Sequence, residues 1–195
     1  EKEQEMSSIA IDGPAGAGKS SIAKALSKRL GYIYIDTGAM YRAVALFFLE
    51  NNVSDGTDSR IESLLEKLEI SKFSAIGSVR EKLVALQRKL AQKENVVMDG
   101  RDIGTVVLPN ADLKIYLSAS SKVRAKRRYL ELLEKGHTDL DINEIEDEII
   151  KRDEADMNRE ISPLKQADDA YYLDSSDMTL EEVVSKILSM VKEER

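Results

Sequence analysis

The sequence predicts an α/β fold, a five-stranded parallel sheet covered by helices on both faces. Three observations carry this. Five short apolar runs read as strands: Ser8 to Ile11, Tyr32 to Ile35, Asn95 to Met98, Leu113 to Leu117, and Tyr171 to Leu173. Helical patterns lie between them. Polar and charged residues gather at the carboxyl end of each run, where a parallel sheet carries its functional loops.

The helices follow from spacing. Ile22, Ala23, Leu26 and Leu30 fall on one helical face. Met40, Ala43, Val44, Phe47 and Phe48 make another, as do Ile61, Leu64, Leu65 and Leu68, and then Val79, Leu83, Leu86 and Leu90. A polar helix is expected from Ile142 to Asn158. Thr179-Leu180-Glu181-Glu182 is a capping box that opens a last helix through Val183, Ile187, Leu188 and Val191. There is no repeat and no low-complexity linker, so a single domain is expected over 7–195. Residues 1–6 are polar up to Met6 and read as a tail or an appended remnant.

Composition narrows the class. Hydrophobic content of 42% with 33% charged residues fits a globular chain rather than a disordered one. No apolar run is long enough to cross a membrane, and the start carries no signal-peptide pattern. Without cysteine there are no disulfides and no thiolate metal sites, which suits a cytoplasmic protein. A net charge of −7 gives no bulk attraction for nucleic acid. Any anion site must therefore come from locally placed Arg and Lys. A monomer is expected.

Gly13-Pro14-Ala15-Gly16-Ala17-Gly18-Lys19-Ser20 fits G-x-x-x-x-G-K-[ST]. It lies between an apolar strand and an amphipathic helix, the order that a phosphate-binding loop needs. The glycines let backbone N–H groups turn inward around a polyphosphate, and the helix adds its free N–H groups and dipole. Gly13 to Ser21 are the expected ATP-binding residues. Lys19 can reach the outer phosphates, and the Ser20 hydroxyl can ligate Mg²⁺. Met98-Asp99 ends a strand with an acid, the Walker-B arrangement, so Asp99 is expected to hold the waters of that ion.

A second site is expected beside the first. The second strand ends in Asp36-Thr37-Gly38-Ala39-Met40-Tyr41-Arg42, the third in Asp99-Gly100-Arg101-Asp102-Ile103-Gly104. Ordinary turns need Gly, Asn or Pro rather than repeated Arg and Asp. Arg42 and Arg101 could grip a second phosphate with bidentate hydrogen bonds. Arg124, Arg127 and Arg128 share a helical face, and Arg152 and Arg159 lie on or near the next helix. The two helices, joined by Lys135-Gly136-His137, make a helical hairpin after the fourth strand, which is similar in position to the lid of small P-loop kinases. His137, the single histidine, is read as solvated.

Taken together the chain resembles the bacterial cytidylate (CMP) kinases. The matching pieces are Ile11-Asp12-Gly13-Pro14 with the phosphate loop, Asp36 to Arg42, Val79-Arg80-Glu81, Asp99 to Val107, and Arg152-Asp153 with Asp156, Asn158 and Arg159. The D-G-R-D-x-G-T-V-V run is the most specific of them. The resemblance implies the sheet order 2-3-1-4-5, with a mobile lid over 119–160 and a monophosphate-binding lobe over 37–95. It implies phosphoryl transfer from ATP to CMP and dCMP with Mg²⁺, in pyrimidine metabolism. It places Thr37, Arg42, Arg101 and Arg159 on the acceptor phosphate, Ser71, Arg80 and Asp102 around cytosine, and Arg152 and Asp156 near the sugar. Lys19, Arg128, Arg152 and Arg159 are the expected catalytic residues. A P-loop kinase for another small acceptor is the near alternative, and a nucleotide-dependent switch or binding module is the alternative from another class. Against it, the chain has no N-K-x-D guanine-reading motif, and acceptor arginines would have no purpose.

One departure stands out. The resemblance implies an insert, partly β-stranded, between the Leu68 and Val79 helices. Here Glu69-Ile70 runs almost directly into Ser71-Lys72-Phe73, so most of it is absent. Either it is truly deleted or a stretch of the natural protein is left out of this chain. The second is preferred, because Ser71 onward matches the family at once.

Overall fold

The computed structural model describes residues 6–51 and 77–193. Ser71 and the stripe from Ile61 to Leu68 lie outside the described residues. The strands are β1 (Ser8–Asp12), β2 (Ile33–Asp36), β3 (Val96–Gly100), β4 (Leu113–Ser118) and β5 (Tyr171–Asp174). They pair in the order β2-β3-β1-β4-β5, and every pair is parallel. The helices are α1 (Lys19–Leu30), α2 (Thr37–Glu50), α3 (Gly77–Ala91), α4 (Ser121–Glu134), α5 (Ile142–Asn158) and α6 (Leu180–Glu193).

Both faces of the sheet are buried, and strand alternation assigns side chains to each. On one face Ile9, Ile11, Val97, Ile115 and Leu117 pack with Ile22 and Leu26 of α1 and Val183, Val184 and Ile187 of α6. On the other, Ala10, Val96 and Met98 pack with Ile35 and with Val84 of α3. Fully burying one such large side chain contributes about 1.5–3 kcal/mol.

Helix ends follow local chemistry. Gly18 enters α1 in the left-handed region (φ 91°), and Gly31 leaves it at φ 71° with its N–H donated to the Ser27 carbonyl. The capping box of α6 closes in both directions. Glu182 accepts from the Thr179 N–H at 2.7 Å, and the Thr179 hydroxyl accepts from the Glu182 N–H at 3.3 Å. Asp36 caps α2, accepting from the Ala39 N–H at 2.7 Å.

Helices α4 and α5 form the expected hairpin, joined through Gly136 at φ 83°. They share a small apolar cluster of Ala125, Ile145 and Ile149. Two details differ from the sequence reading. The buried face of α3 runs through Leu83, Val84 and Gln87, while Leu90 is exposed. Val84 is turned inward because it meets the Ile35 and Met98 side of the sheet. A single π-helical turn, Ile103–Val107, follows β3, where the sequence offered only a polar loop and an apolar tail. Such turns recur at functional sites.

Candidate active site

Pairing in the sheet brings the loops together. Asp12 stands opposite Gly100, and Asp36 opposite Asp99, so the ends of β1, β2 and β3 lie side by side. The loop after β1 folds back on its own lysine. The buried Lys19 Nζ donates to the Pro14 carbonyl at 2.6 Å. Burial, and then the nearby Arg101, push the Lys19 ammonium well below the usual lysine value. A polyphosphate seated in the loop would supply the negative charge this ammonium lacks.

The loop is packed from outside as well. Gly13 lies against β4, and a Cβ there would sit 2.0 Å from the Leu117 carbonyl oxygen. Arg124 is buried at the start of α4. It donates to the Ala119 carbonyl at 2.8 Å and to the Ala15 carbonyl of the loop at 3.0 Å, and it pairs with Asp153 of α5 at 2.6 Å. Arg127 reaches the Ala17 carbonyl at 3.4 Å and the Ser175 carbonyl at 2.7 Å. Arg128 is exposed and pairs with Glu131. Thus the three arginines predicted to share a face have separate surroundings. Arg124 and Arg127 both reach carbonyls of the phosphate loop, whereas Arg128 faces solvent.

Beside the loop, the Ser20 hydroxyl donates to Asp99 at 2.8 Å, and the Tyr34 hydroxyl donates to its other oxygen at 2.9 Å. Burial raises the Asp99 carboxyl above its usual value. A hydroxyl and a carboxylate side by side at the mouth of a phosphate loop fit a hard cation such as Mg²⁺. Among the described residues no cluster of three or more His, Asp or Glu could hold a metal alone. The ion would therefore take its remaining oxygens from phosphate and water. Tyr34 was not singled out in the sequence; it is one of several polar residues at strand positions and carries no motif.

Several of the residues predicted for the acceptor lie around the π turn and the end of α5. Arg80 of α3 forms an ion pair with the buried Asp102, and its Nε donates to the Ser162 hydroxyl at 3.2 Å. Arg101 pairs with Asp156 at 2.7 Å. Arg159 lies 3.9 Å from Asp102, with one guanidinium nitrogen buried and without a hydrogen-bond partner. The Arg80 guanidinium lies 5.4 Å from the centre of the Tyr41 ring. Three arginines and two carboxylates leave this cluster with excess positive charge. Thr37 is buried and its hydroxyl donates to the Asp99 carbonyl at 2.6 Å. Arg42 is largely exposed, 3.6 Å from Asp36, and Arg152 is exposed on α5. Of the predicted acceptor residues, the structure brings together Arg80, Arg101, Asp102, Asp156 and Arg159, and leaves Arg42 and Arg152 outside that network.

Asp12 received no role from the sequence. Its carboxylate accepts from the backbone N–H groups of Ile103 and Gly104, both at 2.7 Å. Burial pushes this carboxyl up to about 6, against the lowering effect of those two bonds.

Fold and loop together define a P-loop NTPase. The comparisons with known proteins agree. The shikimate kinase from Bacteroides thetaiotaomicron superposes with a TM-score of 0.52 at 18% identity, over 96% of this chain and 99% of that one. The cytidylate kinase family model matches residues 9–71 and 68–193. The cytidylate kinase of Caldicellulosiruptor bescii is 49% identical over 213 aligned positions, covering 93% of this chain and 94% of its own length. That of Carboxydothermus hydrogenoformans is 47% identical, covering 94% and 96%. The chain belongs to the cytidylate kinase family.

Proposed function

We propose that this protein transfers the γ-phosphoryl group of ATP to CMP and dCMP, giving ADP with CDP or dCDP, within pyrimidine nucleotide metabolism in the cytoplasm. The observation that carries the reading is the meeting of two charge-matched sites at adjacent strand ends. The loop of Gly13 to Ser21 suits a triphosphate, and the Arg80, Arg101 and Arg159 cluster suits a second, smaller anion. The buried Lys19 is close enough to Arg101 and Asp156 to interact electrostatically with both. Family membership supports the nucleotide acceptor.

In this reading Lys19 stabilises charge that develops as the β,γ-bridge breaks, and Arg101 and Arg159 hold the attacking monophosphate in line. That nucleophile is already an anion, so positioning and charge stabilisation are the protein's main tasks. Mg²⁺, held by Ser20 and through water by Asp99, would neutralise phosphate charge. Arg128 and Arg152 are assigned to the lid, where closure would carry them from solvent toward the phosphates. Thr37 and Arg42 complete the acceptor-phosphate set, and Ser71 is assigned to base recognition.

Base choice follows from hydrogen bonding. Asp102 can accept from cytosine N4, and Arg80 can donate to the N3 and O2 side. Uracil would turn O4 toward the carboxylate and leave both acceptors unpaired. The direct test is product analysis. ATP, CMP and Mg²⁺ should yield ADP and CDP in equal amounts, and chelation of the metal should stop both. ADP without CDP would overturn the reading.

Two variants separate the acceptor roles. Arg101→Ala removes a charge-assisted fork and should weaken CMP and UMP by a similar factor. Asp102→Asn gives an amide that can also donate, so it should lower the kcat/KM ratio of CMP over UMP. A large ratio change in Arg101→Ala with none in Asp102→Asn would reverse the assignment. For the metal, Asp99→Asn should raise the Mg²⁺ concentration needed for half-maximal rate while leaving metal-free ATP binding nearly unchanged. Equal effects with and without Mg²⁺ would make Asp99 structural.

A further inference from the structure

We propose that Asp12 is a positioning residue for the acceptor side of the reaction, holding the Arg101–Asp102 segment at a set distance from the phosphate loop. The inference rests on the kinase reading above.

The chemistry requires a carboxylate. Two adjacent backbone N–H groups, of Ile103 and Gly104, point at one side chain. Both are donors, so the partner must present two acceptors close together. Aspartate does, whereas asparagine offers one acceptor and one donor. The approach is tight. A Cβ on Gly104 would lie 3.3 Å from the Asp12 carboxylate and 3.2 Å from the Lys114 side chain, so glycine leaves room for the clamp.

Place in the chain decides what the clamp controls. Asp12 is the last residue of β1, directly before Gly13, and its partners directly follow Asp102. One buried side chain therefore ties the start of the donor loop to the end of the acceptor loop. Arg101 and Asp102 are otherwise held by Asp156 and Arg80. Those are side-chain pairs that an incoming nucleotide must open to use the same groups. The backbone clamp need not open, so it can hold the segment while the pairs exchange partners. The phosphate loop has supports of its own, from Lys19 to Pro14, Arg124 to Ala15 and Arg127 to Ala17. Loss of the clamp should thus act mainly on the acceptor.

The test is a split between Michaelis constants. Asp12→Asn should raise KM for CMP about tenfold or more, the scale of losing a charge-assisted hydrogen bond, while KM for ATP stays within about twofold. Gly104→Ala, which crowds the clamp but keeps its carboxylate, should show the same split to a smaller degree. A purely structural role would lower the melting temperature and leave the ratio of the two constants unchanged. An unchanged ratio, or an equal rise in both, overturns the proposal; should Asp12→Asn fail to fold, Gly104→Ala decides by the same criterion. CMP turnover by the unsubstituted protein is measured alongside. Its absence would refute the kinase reading itself, a result distinct from an unchanged ratio.

Discussion

Lys19→Ala should fold normally and transfer phosphoryl groups about a hundredfold or more slowly, the scale expected when a preorganised charge at the reacting centre is lost. The structure explains why folding survives. Lys19 is buried, and burial already disfavours its charged form. Removing it relieves that desolvation cost and forfeits the hydrogen bond to the Pro14 carbonyl. The charge is thus held in place for a ligand. Measured kcat and melting temperature check this together. A variant with near-normal kcat and unchanged melting would show that this loop does not carry the reaction.

Gly13→Ala should be the most disruptive single change in the loop. A Cβ at Gly13 would sit 2.0 Å from the Leu117 carbonyl oxygen and 3.0 Å from its carbon, in a backbone with φ of 150°. Leu117 is fully buried in β4, so its backbone cannot retreat. The expected loss is at least about 3 kcal/mol, from overpacking against main chain. Gly16→Ala makes the comparison. Its Cβ would meet the Arg124 Cβ at 3.3 Å with φ at 74°, a milder conflict. The cost there should be about 1–2 kcal/mol from the left-handed backbone. Denaturant midpoints of the two variants measure the difference. Equal destabilisation would mean that β4 does not wall the loop as described.

Much of this architecture was legible because it has a period or a motif. Apolar runs marked the five strands, and Thr179 with Glu182 marked the start of α6. The phosphate loop announces itself, since only glycine tolerates the backbone of Gly13, Gly16 and Gly18. The family resemblance assigned Arg80, Arg101, Asp102, Asp156 and Arg159 to one acceptor; these lie near one another in the structure, while Arg42 and Arg152, assigned with them, lie outside that network.

Other features were hidden for physical reasons. The π turn spans five residues, too few for a helical period, and Ile103, Val106 and Val107 read equally well as strand. The Asp12 clamp joins a side chain to backbone groups 91 and 92 residues away, and backbone donors leave no mark in a sequence. Arg124, Arg127 and Arg128 look alike by helical spacing. What sets Arg128 apart is that only Arg124 and Arg127 meet the phosphate loop, a tertiary contact with no local signature. The buried pair of Arg124 and Asp153 is of the same kind.

The arginine cluster beside the phosphate loop is proposed to take a cytidine monophosphate. The most direct test is the rate of ADP release from ATP and Mg²⁺ with CMP, dCMP, UMP, AMP and GMP offered separately. CMP and dCMP should give by far the highest kcat/KM, with UMP well below because its O4 meets the Asp102 carboxylate. A highest value with AMP or GMP, or equal values across the five, would contradict it.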